Sequence, residues 1–195
     1  PICVRVNTDE GICGWGESGI PVMSGRDATM TMISEIAPFI LGMDPLDHEV
    51  IWQKLYNGSY WAYGGGPIPF AAISALDIAL WDIKGKALNV PVYKLLGAGG
   101  RPTFMAYASS IRFRGLEVVK ETALKFKEAG FRSMKIKIGQ VPENDMATVR
   151  AVREVVGDDI ELTTDANCGY DSKTALRVGR VLEECNIRWF EEPVH

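Results

Sequence analysis

The chain has 195 residues, 21 basic against 25 acidic side chains for a formal charge of −4, and 47% hydrophobic with 24% charged residues. That is the composition of a soluble globular protein, with too much apolar material for disorder. No run of about 18 apolar residues offers a membrane span, no basic patch marks a nucleic-acid surface, and no signal peptide opens the chain.

Residues 2–18 alternate in polarity. ICVRV, the turn Asp9-Glu10-Gly11 and ICGWGES read as a β-hairpin. A loop rich in Gly, Pro and Ser (19–26) follows. Residues 27–41 carry Met30, Ile33, Ile36, Ala37 and Ile40 near helical spacing, and Pro38 is expected to end or kink that helix. A second helix is predicted over 45–56, opening on Pro45, with His48 solvated in its polar start. The stretch NGSYWAYGGGP (57–67) reads as a loop because of its three consecutive glycines. Residues 68–89 are apolar on nearly every face except at Asp77 and Asp82, which predicts a helix buried between layers. Trp52 and Trp81 are expected in the core. The four cysteines (Cys3, Cys13, Cys168, Cys185) lack CxxC spacing and are expected to be reduced, small, buried apolar residues in the cytoplasm.

From residue 103 strands alternate with helices. Strands are predicted at 104–110, 133–139, 160–167 and 187–194, and helices at 116–130, 144–157 (with Asn144 as N-cap) and 171–186. Short βα connections imply parallel strands joined by right-handed crossovers. Two architectures satisfy this pattern, an open doubly wound sheet and a closed (β/α)8 barrel. The dinucleotide glycine fingerprint is missing after the first strand, where Ser109-Ser110-Ile111-Arg112 stands. A closed barrel takes about 250 residues, so residues 103–195 amount to roughly half of one. The chain opens at Pro1 on a strand and stops at His195 directly after another. It is therefore read as a partial chain.

Charged clusters fall at the C-terminal ends of three successive strands: Lys135 and Lys137, then Asp165 and Asn167, then Glu191 and Glu192. Each is one βα unit from the next. Adjacent strands lie about 4.8 Å apart, and period-two alternation puts Lys135 with Lys137 on one face, and Asp165 with Asn167 on one face. In a barrel this end of the strands carries the active site. Charged strand ends also serve as solvated loop residues or ion pairs; three clusters in register argue for convergence. Asp165 and Glu191 are hard oxygen donors suited to Mg2+. Close to a divalent cation and to each other, the lysines are expected to have lowered pKa values, as a base near neutral pH requires. Metal with base suggests removal of a proton next to a carboxylate. Glu192 alternates away from Glu191 and is expected in a structural ion pair. His195 is read as an ordinary loop histidine.

Lys135-Ile136-Lys137, Asp165-Ala166-Asn167 and Trp189-Phe190-Glu191-Glu192-Pro193 resemble the enolase superfamily in its mandelate racemase and muconate lactonizing enzyme branch. So do GWGES (14–18), the helix from 73 to the GAGG at 97–100, and AYASS (106–110). The resemblance implies an N-terminal α+β capping domain (1–100, its first strand missing) over the first half of a (β/α)8 barrel (101–195). It implies Asp165 and Glu191 as Mg2+ ligands, Lys137 as the base, Lys135 as the partner of the substrate carboxylate, and Asn167 as a substrate contact. Loop 19–26 would close the site. The family's third carboxylate ligand and its opposite-face acid/base fall beyond residue 195, and a chain ending there would bind metal weakly without turnover. The expected activity is proton abstraction from a small hydroxy or sugar acid through an enediolate, giving dehydration. Racemisation, epimerisation or cycloisomerisation shares this half of the site, and a non-catalytic homologue is the alternative of another class. A homo-oligomer is expected by analogy.

Overall fold

A computed structural model describes residues 1–19, 24–100 and 103–195. The chain divides into two compact units, Pro1–Arg101 and Pro102–His195.

In the first unit, β1 (Ile2–Asn7) and β2 (Cys13–Ser18) form an antiparallel hairpin, with Ile2 opposite Ser18 and Asn7 opposite Cys13. Thr8 closes it. Its hydroxyl donates to the Ile12 carbonyl (2.9 Å) and accepts from the Ile12 amide (3.1 Å). The helix α1 (Arg26–Ile36) gives way to a 3-10 turn (Ala37–Ile40), because Pro38 has no amide to donate to the α-helical pattern. The expected loop 19–26 lies in part outside the described residues.

The next helix, α2, spans His48–Gly58 rather than starting at Pro45. Asp44 explains the delay: its carboxylate accepts from the Leu46 amide (2.9 Å) and its carbonyl from the Asp47 amide (3.1 Å), holding a turn before the helix. His48 is buried, not solvated; its ring packs 4.1 Å from that of Trp81, and Nδ1 lies 3.1 Å from Lys84 Nζ. The expected loop at 57–67 also holds a single helical turn, α3 (Tyr60–Tyr63).

The long helix α4 (Pro67–Leu88) matches its apolar pattern closely, and Asn89 ends it in the left-handed conformation. It carries the core of this unit: Ile73, Leu76, Leu80 and Ile83 pack with Ile36, Ile51 and Leu55. Trp52 lies at the edge of that core, half-buried. Gly14 and Gly16 of β2 lie directly on α4. A methyl group at either would collide with the carbonyl oxygen of Ala79 or Ala75. Only glycine lets the strand approach the helix backbone this closely. A last turn, α5, covers Val92–Leu95.

The second unit alternates without interruption: β3 (Ala108–Arg112), α6 (Leu116–Glu128), β4 (Ser133–Lys137), α7 (Pro142–Val156), β5 (Glu161–Asp165), α8 (Ser172–Glu184) and β6 (Ile187–Glu191). The first strand starts four residues later than its apolar pattern suggests, leaving Phe104 and Met105 exposed. The α7 helix begins at Pro142, whose fixed φ suits a first turn, so Val141 and not Asn144 occupies the cap. Asp171 caps α8 by accepting from the Thr174 amide (2.7 Å).

The four strands are parallel and lie in sequence order, β3-β4-β5-β6. A doubly wound sheet reverses its order at a switch point; this one does not. Right-handed crossovers then put every helix on one face, where Ile111, Met134, Ile136 and Leu162 pack with Val119, Val149, Val152 and Val178. The sheet also curves. Strands β3 and β6 are three spacings apart, about 14 Å if flat, yet the rings of Tyr107, just before β3, and Trp189 in β6 meet edge-to-face at 6.2 Å. Their meeting defines a concave face opposite the helices, as in a partial (β/α)8 barrel.

Candidate active site

Strand register brings the charged clusters together. Lys137 lies opposite Asp165, and Asp165 opposite Glu191. Ile111, Ile136 and Leu162 take the helix side, so alternation turns Lys135, Lys137, Asp165 and Glu191 to the concave side.

The Lys135 ammonium sits between two carboxylates, 3.1 Å from Glu191 Oε2 and 3.3 Å from Asp165 Oδ2. It also lies 5.6 Å over the Tyr107 ring. Lys137 Nζ donates to Asp165 Oδ2 and to Asn167 Oδ1 (3.0 Å). The other oxygen of Asp165 accepts from the Asn167 amide (3.0 Å), in a turn where Asn167 adopts a positive φ of 45°. Glu191 Oε2 accepts from the Trp189 indole (3.3 Å). The five expected site residues thus form one connected group.

Burial makes the charges count. The Asp165 side chain is 3% exposed and that of Lys135 10%, so neither is fully hydrated and each depends on its partners. Burial would raise the Asp165 carboxyl. Hydrogen bonds from Lys137, the Asn167 amide and Lys135 outweigh it and hold the group below the usual carboxylate value. For Lys135 burial would lower the ammonium, but the bonds to Glu191 and Asp165 prevail and its pKa is raised. Two adjacent carboxylates stabilise its charged form more than desolvation penalises it, whereas the lowered value expected for the lysines presupposed a divalent cation beside them.

The donor chemistry suits a hard divalent cation. Asp165 and Glu191 present carboxylate oxygens to one common point, now held by an ammonium, and Mg2+ is commonly bound through one or two carboxylates with water and substrate oxygens. Among the described residues, no group of three or more His, Cys, Asp or Glu side chains gathers around that point. Beside it a cavity of about 320 Å3 is lined by Arg112, Arg114, Lys137, Gln140 and Asn167 among others, so the lysine opens onto space with a cationic rim.

Other expectations need correction. Glu192 has a neutral partner, the Asn167 side-chain amide (3.5 Å), in place of the expected cation. Only Cys185 is a buried cysteine; Cys3 is exposed and Cys13 and Cys168 are half-buried, all four being free thiols. Trp189 belongs to a recognisable motif but carries no expected role, although its position two residues before Glu191 already put it on the same face. Asp145 and Tyr170 carry no sequence signal either, yet form a buried pair joined at 2.7 Å behind the strand ends. No spacing signals them, because they meet only through the fold.

Two family models match the chain. Residues 2–97 match the mandelate racemase / muconate lactonizing enzyme N-terminal domain, and residues 117–195 the enolase C-terminal domain-like family. The arabinonate dehydratase of Saccharolobus solfataricus is 36% identical over 198 residues, covering 99% of this chain and 52% of that protein. The D-galactonate dehydratase of Pectobacterium atrosepticum is 38% identical over 201 residues, covering 98% and 51%. The crystal structure of the 3,6-anhydro-D-galactonate cycloisomerase from Zobellia galactanivorans superposes with a TM-score of 0.90 at 39% identity, covering 99% of this chain and 53% of that one. The chain thus spans about half the length of the relatives it matches. It belongs to the enolase superfamily, in the mandelate racemase and muconate lactonizing enzyme branch.

Proposed function

We propose that this chain supplies the first half of the active site of an acid-sugar dehydratase, an enzyme that removes the proton α to a carboxylate and then expels a β-hydroxyl as water. The observation that carries this reading is the convergence of Lys135, Lys137, Asp165, Asn167 and Glu191 at one end of the sheet. Similarity to arabinonate and galactonate dehydratases supports a hydroxylated carboxylate as the substrate class.

Lys137 is the base. It is held by Asp165 and Asn167 beside a cavity, where an incoming C–H can reach its nitrogen. Lys135, nearly buried at the same strand ends, receives the substrate carboxylate, countering charge that builds on its oxygens as the α-proton leaves. Asn167 keeps Lys137 oriented and offers a hydrogen bond to a substrate hydroxyl. Asp165 and Glu191 would hold Mg2+. When bound, the ion supplies further positive charge against the same oxygens. Assembly into a homo-oligomer belongs to this reading by family analogy alone.

Cycloisomerisation is the second reading, favoured by likeness to the 3,6-anhydro-D-galactonate cycloisomerase. It uses the same abstraction and differs in which group leaves or returns. The test uses the full-length protein with aldonic and aldaric acids in D2O. Solvent deuterium should enter the α-position, and Lys137→Ala should abolish that exchange. Exchange that survives the substitution would remove Lys137 as the base. Absence of Mg2+ binding by calorimetry would favour the non-catalytic alternative.

A further inference from the structure

We propose that Tyr170 and Asp145 are positioning residues for the base Lys137, locking the loop after β4 onto the loop after β5 so that the lysine is held at a fixed place against Asp165 and Asn167. The proposal rests on the assignment of Lys137 as base, and deepens it.

Asp145 lies in the first turn of α7 and is 3% exposed; Tyr170 follows β5 and is 6% exposed. One carboxylate oxygen of Asp145 accepts three hydrogen bonds: from the Tyr170 hydroxyl (2.7 Å), the Gly139 amide (3.1 Å) and the Gln140 amide (3.0 Å). The Gly139 amide also donates to the Tyr170 hydroxyl oxygen (2.9 Å). Burial, reinforced by the Asp145 carboxylate, raises the Tyr170 phenol well above its ordinary value, so it remains a donor at any working pH. The polar groups of this pocket are thereby paired inside the protein.

The connection to the base is short. Gly139 and Gln140 follow Lys137 by two and three residues, and the intervening Ile138 amide donates to the Asp165 carbonyl (3.0 Å). The two loops touch at backbone level. A methyl group on Gly139 would strike the Ala166 carbonyl oxygen, and one on Gly169 would strike that of Gly139. Gly139 also holds a φ of 97°, which favours glycine. The same turn is tied to the end of β6, where the Cys168 amide donates to the Glu192 carbonyl (2.7 Å) and the Tyr170 amide to the Pro193 carbonyl (3.2 Å). Tyr170 therefore sits where three consecutive strand-end loops are cross-linked. The buried Asp145 carboxylate draws its three donors from two different loops, so each loop is held through it. Here it fixes the spacing between a base and its partners, the kind of positioning on which proton transfer depends.

Tyr170→Phe in the full-length protein removes the hydroxyl and leaves the ring against Phe190, its neighbour at 6.2 Å. Asp145→Asn is the second variant, should the first fail to fold. Two measurements decide. The first is residue-resolved amide hydrogen exchange, which needs no substrate. The proposal expects faster exchange at Ile138 as well as at Gly139 and Gln140. Faster exchange confined to Gly139 and Gln140, with Ile138 still protected, overturns it. The second is steady-state kinetics with the sugar acid found active. The proposal expects kcat to fall about tenfold with KM changed less than about twofold, since misplacement of a catalytic group costs rate before binding. A lowered melting temperature with kcat intact shows a merely structural clamp and overturns the proposal. If the wild-type protein turns over no sugar acid, the functional reading fails by itself, and the exchange measurement still judges the clamp.

Discussion

The two ends of the parallel sheet carry similar residues and put them to different uses. At the N-terminal ends of β4, β5 and β6, Glu161 accepts from the Ser133 hydroxyl (3.0 Å) and pairs with Arg188, whose side chain is 63% exposed. At the C-terminal ends of the same strands, Lys135 and Lys137 meet Asp165 and Glu191, with Asp165 only 3% exposed. Both are acid–base bridges across neighbouring strands. The first is screened by water and contributes little, as surface pairs do. In the second, Asp165 and Lys135 are shielded, so those two charges strongly affect their neighbours, while Glu191 keeps one side in water. In a barrel the N-terminal end serves stability and the C-terminal end chemistry, and burial is the physical difference between them.

The contrast between the two ends of the sheet should be greatest at Lys137. In the full-length protein Lys137→Ala should slow α-proton exchange by roughly 10²–10⁴-fold with circular dichroism unchanged, whereas Arg188→Ala should leave exchange near wild type. Next in size, Asp165→Asn should weaken Mg2+ binding about a hundredfold or more by calorimetry, more than is typical for loss of a residue that only orients a ligand. Glu161→Gln should not alter it. A smaller effect is expected for Lys135→Met, which leaves Glu191 and Asp165 with one cation fewer. It should lower metal-free stability by about 2 kcal/mol in denaturant titrations, and added Mg2+ should restore part of the loss.

The smallest effect belongs to the exposed end. The Arg188 hydrogen bond chiefly holds Glu161 below its ordinary value of 4.5, with Ser133 assisting. A carboxyl depressed in the folded state stabilises above its unfolded pKa and loses that contribution as pH falls through the folded value. Arg188→Ala should therefore cost under about 1 kcal/mol at neutral pH, with the difference vanishing in acid and shrinking in high salt. A loss of several kcal/mol there would remove the distinction between the two ends.

Parts of the site were legible because side-chain direction along a strand is a local property. Alternation placed Lys135 with Lys137 and Asp165 with Asn167, and the spacing of one βα unit between clusters set them beside Glu191, with Trp189 two residues before it. The sign of the Lys135 shift was not legible. It depends on whether two carboxylates outweigh burial, and that contest is decided by distances of 3.1 and 3.3 Å to residues on other strands. His48 shows the same limit in the first unit: a polar residue near a helix start looks solvated until Trp81 and Lys84 of α4 are brought against it. Asp145 was hidden for a related reason. Its partners are an amide six residues back and a phenol on another loop.

Local pattern along the chain is enough to give the order and kind of most elements, the parallel character of the second unit and the end of the sheet where charged residues gather. These follow from periods of two and 3.6 residues and from short connections, which act within a few residues of chain. Folding in three dimensions sets the curvature that brings Tyr107 to Trp189, the sharing of Lys135 between two carboxylates, and the hydrogen bond of Tyr170 to Asp145. Those depend on contacts between residues far apart in the chain, where packing and desolvation choose among partners that local pattern leaves equivalent.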